Sequence, residues 1–304
     1  MLVFQQMLVL FIIMLIGYIC CRVGIITEEG GKKLSAIVVN VANPAMILTA
    51  STGTGEKVQG SALALTLGVA FGMFAVLLLI SYLIPIVLRV ERKSAGVYRV
   101  MTIFSNLGFM GFPVVAALYG NGALIYATLF VIPYNLLIYT YGINAMKTSA
   151  QDREKLKLGK VFNIGVIACI ITMTIYLLKP PIPIVVSSTV SILSNLAAPL
   201  SMMVIGASLA SIDLKALFTD ARLLVFMVIK QLLIPIVGAL LIKQFISDQT
   251  LVGVCVIMLA MPVGSMTAML AQQYGGDFEL STKGVALTTL LSVVTIPLVF
   301  ALVM

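Results

Sequence analysis

The sequence predicts an all-α integral membrane protein: ten transmembrane helices as two inverted five-helix repeats, with broken helices four and nine crossing at mid-membrane. Three observations carry this expectation. First, 61% of the 304 residues are apolar and 10% are charged, whereas an average soluble domain carries about 25% charge. Second, ten apolar stretches approach or exceed the roughly 20 residues with which a helix crosses the hydrocarbon core. Third, basic residues alternate from loop to loop, and segments of the first half recur in the second.

The spans are 3–21, 33–50, 62–88, 96–119, 122–146, 161–178, 187–210, 222–242, 250–274 and 280–303. They are too long and too evenly apolar for the alternating strands of a membrane barrel. Span one is expected to be retained: no basic stretch leads into it and no small-x-small cleavage signal precedes the first loop. Span two holds Asn40, Asn43 and Pro44. Its two Asn, three positions apart, share a helix face that either meets substrate or bonds a neighbouring helix. Span three is unbroken apolar sequence from Leu63 to Leu88 but for Thr66, Ser81 and a few Gly. Span four contains Ser105-Asn-Leu-Gly-Phe-Met-Gly-Phe-Pro113. There Gly108 and Gly111 permit close approach, and Pro113 lacks an N–H.

Span five ends at the longest polar stretch, 147–160, read as a cytoplasmic linker between a first repeat, 1–146, and a second, 161–304. Span seven repeats the Asn and Pro of span two as Asn195 and Pro199, followed by Ser201. Span eight contains Lys230, eight residues after Arg222, or about 12 Å along the helix. A lysine that deep marks a functional site by default; the alternative is snorkelling to the surface. Span nine contains Met261-Pro-Val-Gly-Ser-Met-Thr267.

Lys and Arg in the odd loops are Arg22, Lys32, Lys33, Arg89, Arg92, Lys93, Arg99, Lys147, Arg153, Lys155, Lys157, Lys160, Lys215, Arg222 and Lys283. The even loops hold Lys57, Lys179 and Lys243. The positive-inside rule then puts both termini outside the cytoplasm of a plasma (bacterial inner) membrane. It also accounts for the net charge of +8 without a nucleic-acid partner; membrane lipid is the expected surrounding.

The repeat shows as Asn40-Val-Ala-Asn-Pro44 against Asn195-Leu-Ala-Ala-Pro199, Leu83–Val87 against Leu233–Val237, and Tyr119-Gly120 against Tyr274-Gly275. An odd number of spans per repeat inverts the second half, as secondary transporters do. The breaks of spans four and nine then fall at similar depth. They either cross at a central site or merely kink two packing helices. Crossing places Asn106, Gly108, Gly111, Pro113, Pro262, Gly264, Ser265 and Thr267 at a substrate site, with Asn43 and Lys230 nearby; Asn40, Pro44, Asn195 and Pro199 are assigned to helix breaks. No Asp or Glu lies deep in a span, so half-helix N-termini, Asn and one Lys suit an anion. Without His, and with Cys20, Cys21, Cys169 and Cys255 in apolar runs, neither a metal set nor a cofactor is expected. The residues of an intramembrane enzyme are missing too.

These residues resemble the auxin efflux carrier family. The similar stretches are Lys33-Leu-Ser with Asn40–Pro44, Asn106–Gly120, and Met261-Pro-Val through Gln273–Asp277 into Thr288–Pro297. The resemblance implies a dimerising scaffold of spans 1, 2, 6 and 7 and a mobile transport domain of spans 3–5 and 8–10. It also implies elevator-like carriage of organic anions, with Asn106 matching the Asn of the plant span-four crossover. The plant carriers have a long central loop and Asn-Pro-Asn where this chain has Asn106-Leu-Gly108. A small carboxylate such as malate or malonate is therefore the expected substrate. Coupling to a proton or a sodium ion stays open. A sodium-coupled bile-acid-type symporter is the related alternative; Gln272 and Gln273 are present, but a deep Glu is not. A membrane receptor or binding protein is the alternative of another class.

Overall fold

The computed structural model describes residues 2–52, 60–147, 163–210 and 217–304. Residues 148–160 of the expected linker, with Lys57 and Lys215, lie outside the described residues. Among those described, the fold is helical without a strand, and seven helices are long and apolar enough to cross a membrane. They cover Phe4–Arg22, Glu28–Ser51, Ser61–Val87, Asn121–Met146, Ile184–Ala210, Ala221–Phe245 and Phe278–Val303. Shorter apolar helices cover Leu107–Tyr119, Ile164–Leu178 and Gln249–Ala260. Large apolar side chains such as Ile86, Leu178 and Ile184 stand on the outside, each more than 70% exposed. In water such a surface would aggregate; facing lipid it is the expected exterior.

In chain order the α-helices are α1 (Leu2–Arg22), α2 (Glu28–Ile37), α3 (Asn43–Thr52), α4 (Gly60–Val87), α5 (Arg92–Ile103), α6 (Phe112–Tyr119), α7 (Leu124–Leu137), α8 (Ile143–Met146), α9 (Ile164–Leu178), α10 (Ile184–Ser194), α11 (Ala197–Ala210), α12 (Ala221–Val228), α13 (Ile234–Phe245), α14 (Gln249–Ala260), α15 (Met266–Tyr274) and α16 (Phe278–Val303). Five-residue π-helical turns join α2 to α3 (Val38–Ala42), lead into α6 (Leu107–Gly111), join α7 to α8 (Ile138–Gly142) and join α12 to α13 (Ile229–Leu233).

Three of these turns end two residues before a proline: Pro44, Pro113 and Pro235. A proline removes one helical N–H and presses on the carbonyl one turn earlier. A wider π turn relieves both without ending the helix. This corrects two expectations. Pro44 and Pro199 lie within helical chain, and in the second half the interruption is the short turn at 195–196. Likewise Gly108, Gly111 and Pro113 continue a helix; the unwinding lies just before them, over Phe104–Asn106.

Helices α1 and α11 pack extensively. Gly17 lies against the Met203 backbone and Gly206 against that of Met14, each leaving no room for a Cβ. Small residues let helix backbones meet where lipid supplies no hydrophobic drive. Gly120 and Gly275, 155 residues apart, each end a helix, with φ of 78° and 76°. Both Tyr-Gly pairs thus end a helix at a glycine of positive φ, but only Gly275 (ψ 22°) is the left-handed cap; Gly120 has ψ of 170°.

Candidate functional site

The site is built where two helices stop. Helix α5 ends at Ile103, and the chain is non-helical until the π turn begins at Leu107. Helix α14 ends at Ala260, and the chain stays non-helical until α15 begins at Met266. The two interruptions pair as an isolated antiparallel bridge between Ser105 and Val263. Asn106 N–H donates to the Pro262 carbonyl at 2.8 Å, and Gly264 N–H to the Phe104 carbonyl at 2.9 Å. Away from water, freed backbone groups must find such partners. Gly264 makes the approach close: a Cβ there would stand 3.1 Å from the Ser105 carbonyl oxygen.

The neighbouring helices complete the arrangement. The Val263 N–H donates to the Thr288 hydroxyl of α16 at 3.0 Å. The Thr288 carbonyl accepts from the Gln231 amide at 2.8 Å. Lys230, beside Gln231 in the π turn, is fully buried, and its ammonium donates to the Ser105 hydroxyl at 2.8 Å. The snorkelling alternative is therefore excluded. Asn106 is buried, and its amide oxygen accepts the Phe109 N–H at 3.2 Å, capping the first turn of the second half-helix.

Asn43 enters from α3: a Cβ on Gly108 would lie 3.3 Å from its amide nitrogen. Asn40 does not join it. It is exposed and donates to the Ala36 carbonyl of its own helix, so the two Asn do not share a surface once the π turn intervenes. Thr267 is buried at the start of α15, Ser265 is exposed at its N-cap, and Pro262 and Gly111 are buried within the crossing. Asn195 is exposed in the turn between α10 and α11, and Pro199 lies half-buried in α11.

Among the buried oxygens without a hydrogen-bond partner are Asn43 Oδ1, Ser201 Oγ, Gln231 Oε1 and Thr267 Oγ1. Unpaired polar atoms in a packed interior are costly and call for an explanation such as a ligand. A small, mostly apolar cavity between α1, α11, the first break and α16 is lined by Phe11, Met14, Met110, Met202 and Ser292. Each interruption ends one helix and starts another. Carbonyl-rich C-termini of α5 and α14 and N–H-rich starts of the following helices thus converge on one place, carrying partial charges of both signs. Among the described residues no cluster of metal ligands is present.

Sequence reasoning reached Lys230, Asn106 and Thr267 but gave no role to Ser105 or Thr288. A hydroxyl in an apolar span normally bonds its own preceding turn, as Thr288 also does at 2.7 Å to Gly284. Its second bond, to Val263, leaves no mark in the sequence.

The model of a family described as "Membrane transport protein" matches residues 2–300. The chain belongs to this family, that of the auxin efflux carriers. A transporter of Methanothermobacter thermautotrophicus is 24% identical over 299 residues, 97% of this chain and 96% of that protein. One of Methanocaldococcus jannaschii is 27% identical over 301 residues, 96% of each chain. A Rhizobium meliloti protein provisionally named a malonate transporter is 23% identical over 308 residues, 94% of this chain and 91% of its own. The chain is thus a membrane transporter of this family, and seven of its helices are long and apolar enough to cross a membrane.

Proposed function

We propose that the protein is a secondary transporter of small organic anions, carboxylates such as malonate or malate, working by alternating access where the two interrupted helices meet. The observation that carries this reading is the pairing of the two breaks, with a buried lysine bonded to one of them and, among the described residues, paired with no acid. Such a site favours an anion: helix N-termini supply N–H groups, Asn106, Ser265 and Thr267 supply side-chain donors, and Asn43 approaches from the facing helix. The provisional malonate assignment of the Rhizobium relative supports a carboxylate.

The chain crosses the plasma membrane ten times. The seven long helices correspond to spans 1, 2, 3, 5, 7, 8 and 10; α9 is span six, and the broken pairs α5–α6 and α14–α15 are spans four and nine. Two five-span repeats, 1–146 and 161–304, are inverted about the 147–160 linker, and both termini lie outside the cytoplasm. Spans 1, 2, 6 and 7 form the scaffold of a homodimer, and spans 3–5 and 8–10 move as an elevator. A matched pair of ties supports the inversion. Ser94 at the start of span four bonds Asp277 at the start of span ten at 3.3 Å. Tyr126 at the start of span five bonds Asp248 at the start of span nine at 2.5 Å. Exchanging the halves turns one tie into the other.

Flux of labelled malonate, malate and lactate into proteoliposomes, with potential, pH and sodium gradients imposed separately, tests the reading. Carboxylate flux is expected, and Asn106→Ala is expected to reduce it. Because Asn106 also caps a helix, the variant should lose about 1 kcal/mol of stability as well. Folded protein that carries no carboxylate would refute the proposal; binding without flux would favour a receptor.

A further inference from the structure

Among the described residues no acid pairs with Lys230. Among the described residues the ion pairs join Glu28 to Lys32, Glu29 to Lys33, Glu91 to Lys93 and Glu279 to Lys283, all at the ends of helices. The structure offers the Lys230 ammonium a helix terminus instead. Ser105, its partner at 2.8 Å, stands two residues past the end of α5, where the last carbonyls concentrate partial negative charge. In broken-helix transporters that is where a coupling cation is held.

The lysine is also tied to both breaks. Ser105 lies in the bridge to Val263, and Val263 and Gln231 both bond Thr288. Spans four, eight, nine and ten thus share one hydrogen-bonded unit around this ammonium.

We infer that the Lys230 ammonium is a built-in cation, held in place of a coupling ion, that crosses the membrane together with the bound carboxylate. This rests on the transport reading above. A carrier loaded with a monocarboxylate then moves with no net charge from this pair, and an empty carrier moves with one positive charge. Lys230 acts as a positioning residue, through Ser105 and through its field. The membrane potential consequently acts on the empty return and not on the loaded step. One charge moved through 100 mV shifts the ratio of the two facing states about fifty-fold.

Full-length wild type, Lys230→Gln and Lys230→Arg, reconstituted with the potential clamped by potassium and valinomycin, test this. Exchange of labelled lactate against internal lactate uses only loaded steps; net efflux needs the empty return. In wild type and Lys230→Arg, lactate exchange should be unchanged by the potential while net efflux follows it. In Lys230→Gln lactate exchange should become voltage-sensitive, while net efflux still follows the potential because each lactate carries its charge across on the loaded step. With malonate, a dianion, wild-type exchange should be voltage-sensitive and become about twice as steep in Lys230→Gln. A sodium gradient should drive neither process. Wild-type lactate exchange that follows the potential overturns the inference without any variant. So does sodium-driven flux, or a folded Lys230→Gln protein with the wild-type voltage pattern. Absence of all carboxylate flux from folded wild type is a different failure: it removes the transport reading, and this inference with it.

Discussion

Thr288 holds a helix break in place with one side chain. Its hydroxyl accepts from Val263 and donates to Gly284, and its carbonyl receives Gln231. Thr288→Val keeps the shape but strands the Val263 N–H where no water replaces it. The expected loss is about 1–3 kcal/mol, seen as a lower melting temperature in detergent, with Thr288→Ser losing less. Ser105→Ala differs in kind, because it leaves an ammonium without its hydroxyl. Breaking a buried charged interaction costs more than breaking a neutral one. Ser105→Ala should therefore unfold at a lower temperature than Thr288→Val, which differential scanning of the two purified proteins would show.

At the scale of elements, the π turn decides where Lys230 points. In the first half Leu83–Val87 ends an uninterrupted α-helix with Pro85 inside it. The same five residues in the second half, Leu233–Val237, begin on the last residue of a π turn that contains Lys230 and Gln231. Pro235→Ala removes the need for the wider turn. An interior proline is about 3 kcal/mol worse than alanine in a helix, so this variant should melt no lower than wild type. It should nonetheless transport poorly, because an ordinary α turn would rotate Lys230 away from Ser105. Flux and melting temperature measured together check both halves of that statement. Gly264→Ala tests the crossing of the breaks: its Cβ would press on the Ser105 and Phe104 carbonyls, and reduced flux is expected at modest cost in stability.

For the whole molecule, the expected orientation can be read with single cysteines in a background lacking Cys20, Cys21, Cys169 and Cys255. Positions 121 and 179 should react with a membrane-impermeant maleimide in intact cells, and positions 92 and 279 only after permeabilisation. The reverse pattern would invert the topology. Rigid packing between α1 and α11 is a second whole-molecule property. Gly206→Ala would drive a methyl into the Met14 backbone, and overpacking of this kind costs about 1–3 kcal/mol. The thermal midpoint should drop while flux per folded molecule is retained.

The sequence by itself determined that this is a helical membrane protein, because apolar length and the sidedness of basic residues answer directly to bilayer thickness and insertion. It also marked Lys230 and the neighbourhood of both breaks, since a buried charge and clustered Gly, Asn and Pro are local anomalies in an apolar span. The tertiary structure alone decided where the chain unwinds and what satisfies it there. Phe104–Asn106 contains neither Gly nor Pro, yet it opens because Pro262 and Gly264 lie opposite to receive and supply its hydrogen bonds. Proline, which locally reads as a helix breaker, is absorbed at Pro44, Pro113 and Pro235 by a change of helical pitch. The lysine's partner is a hydroxyl 125 residues away, and a contact across that distance comes from packing, which no local pattern encodes.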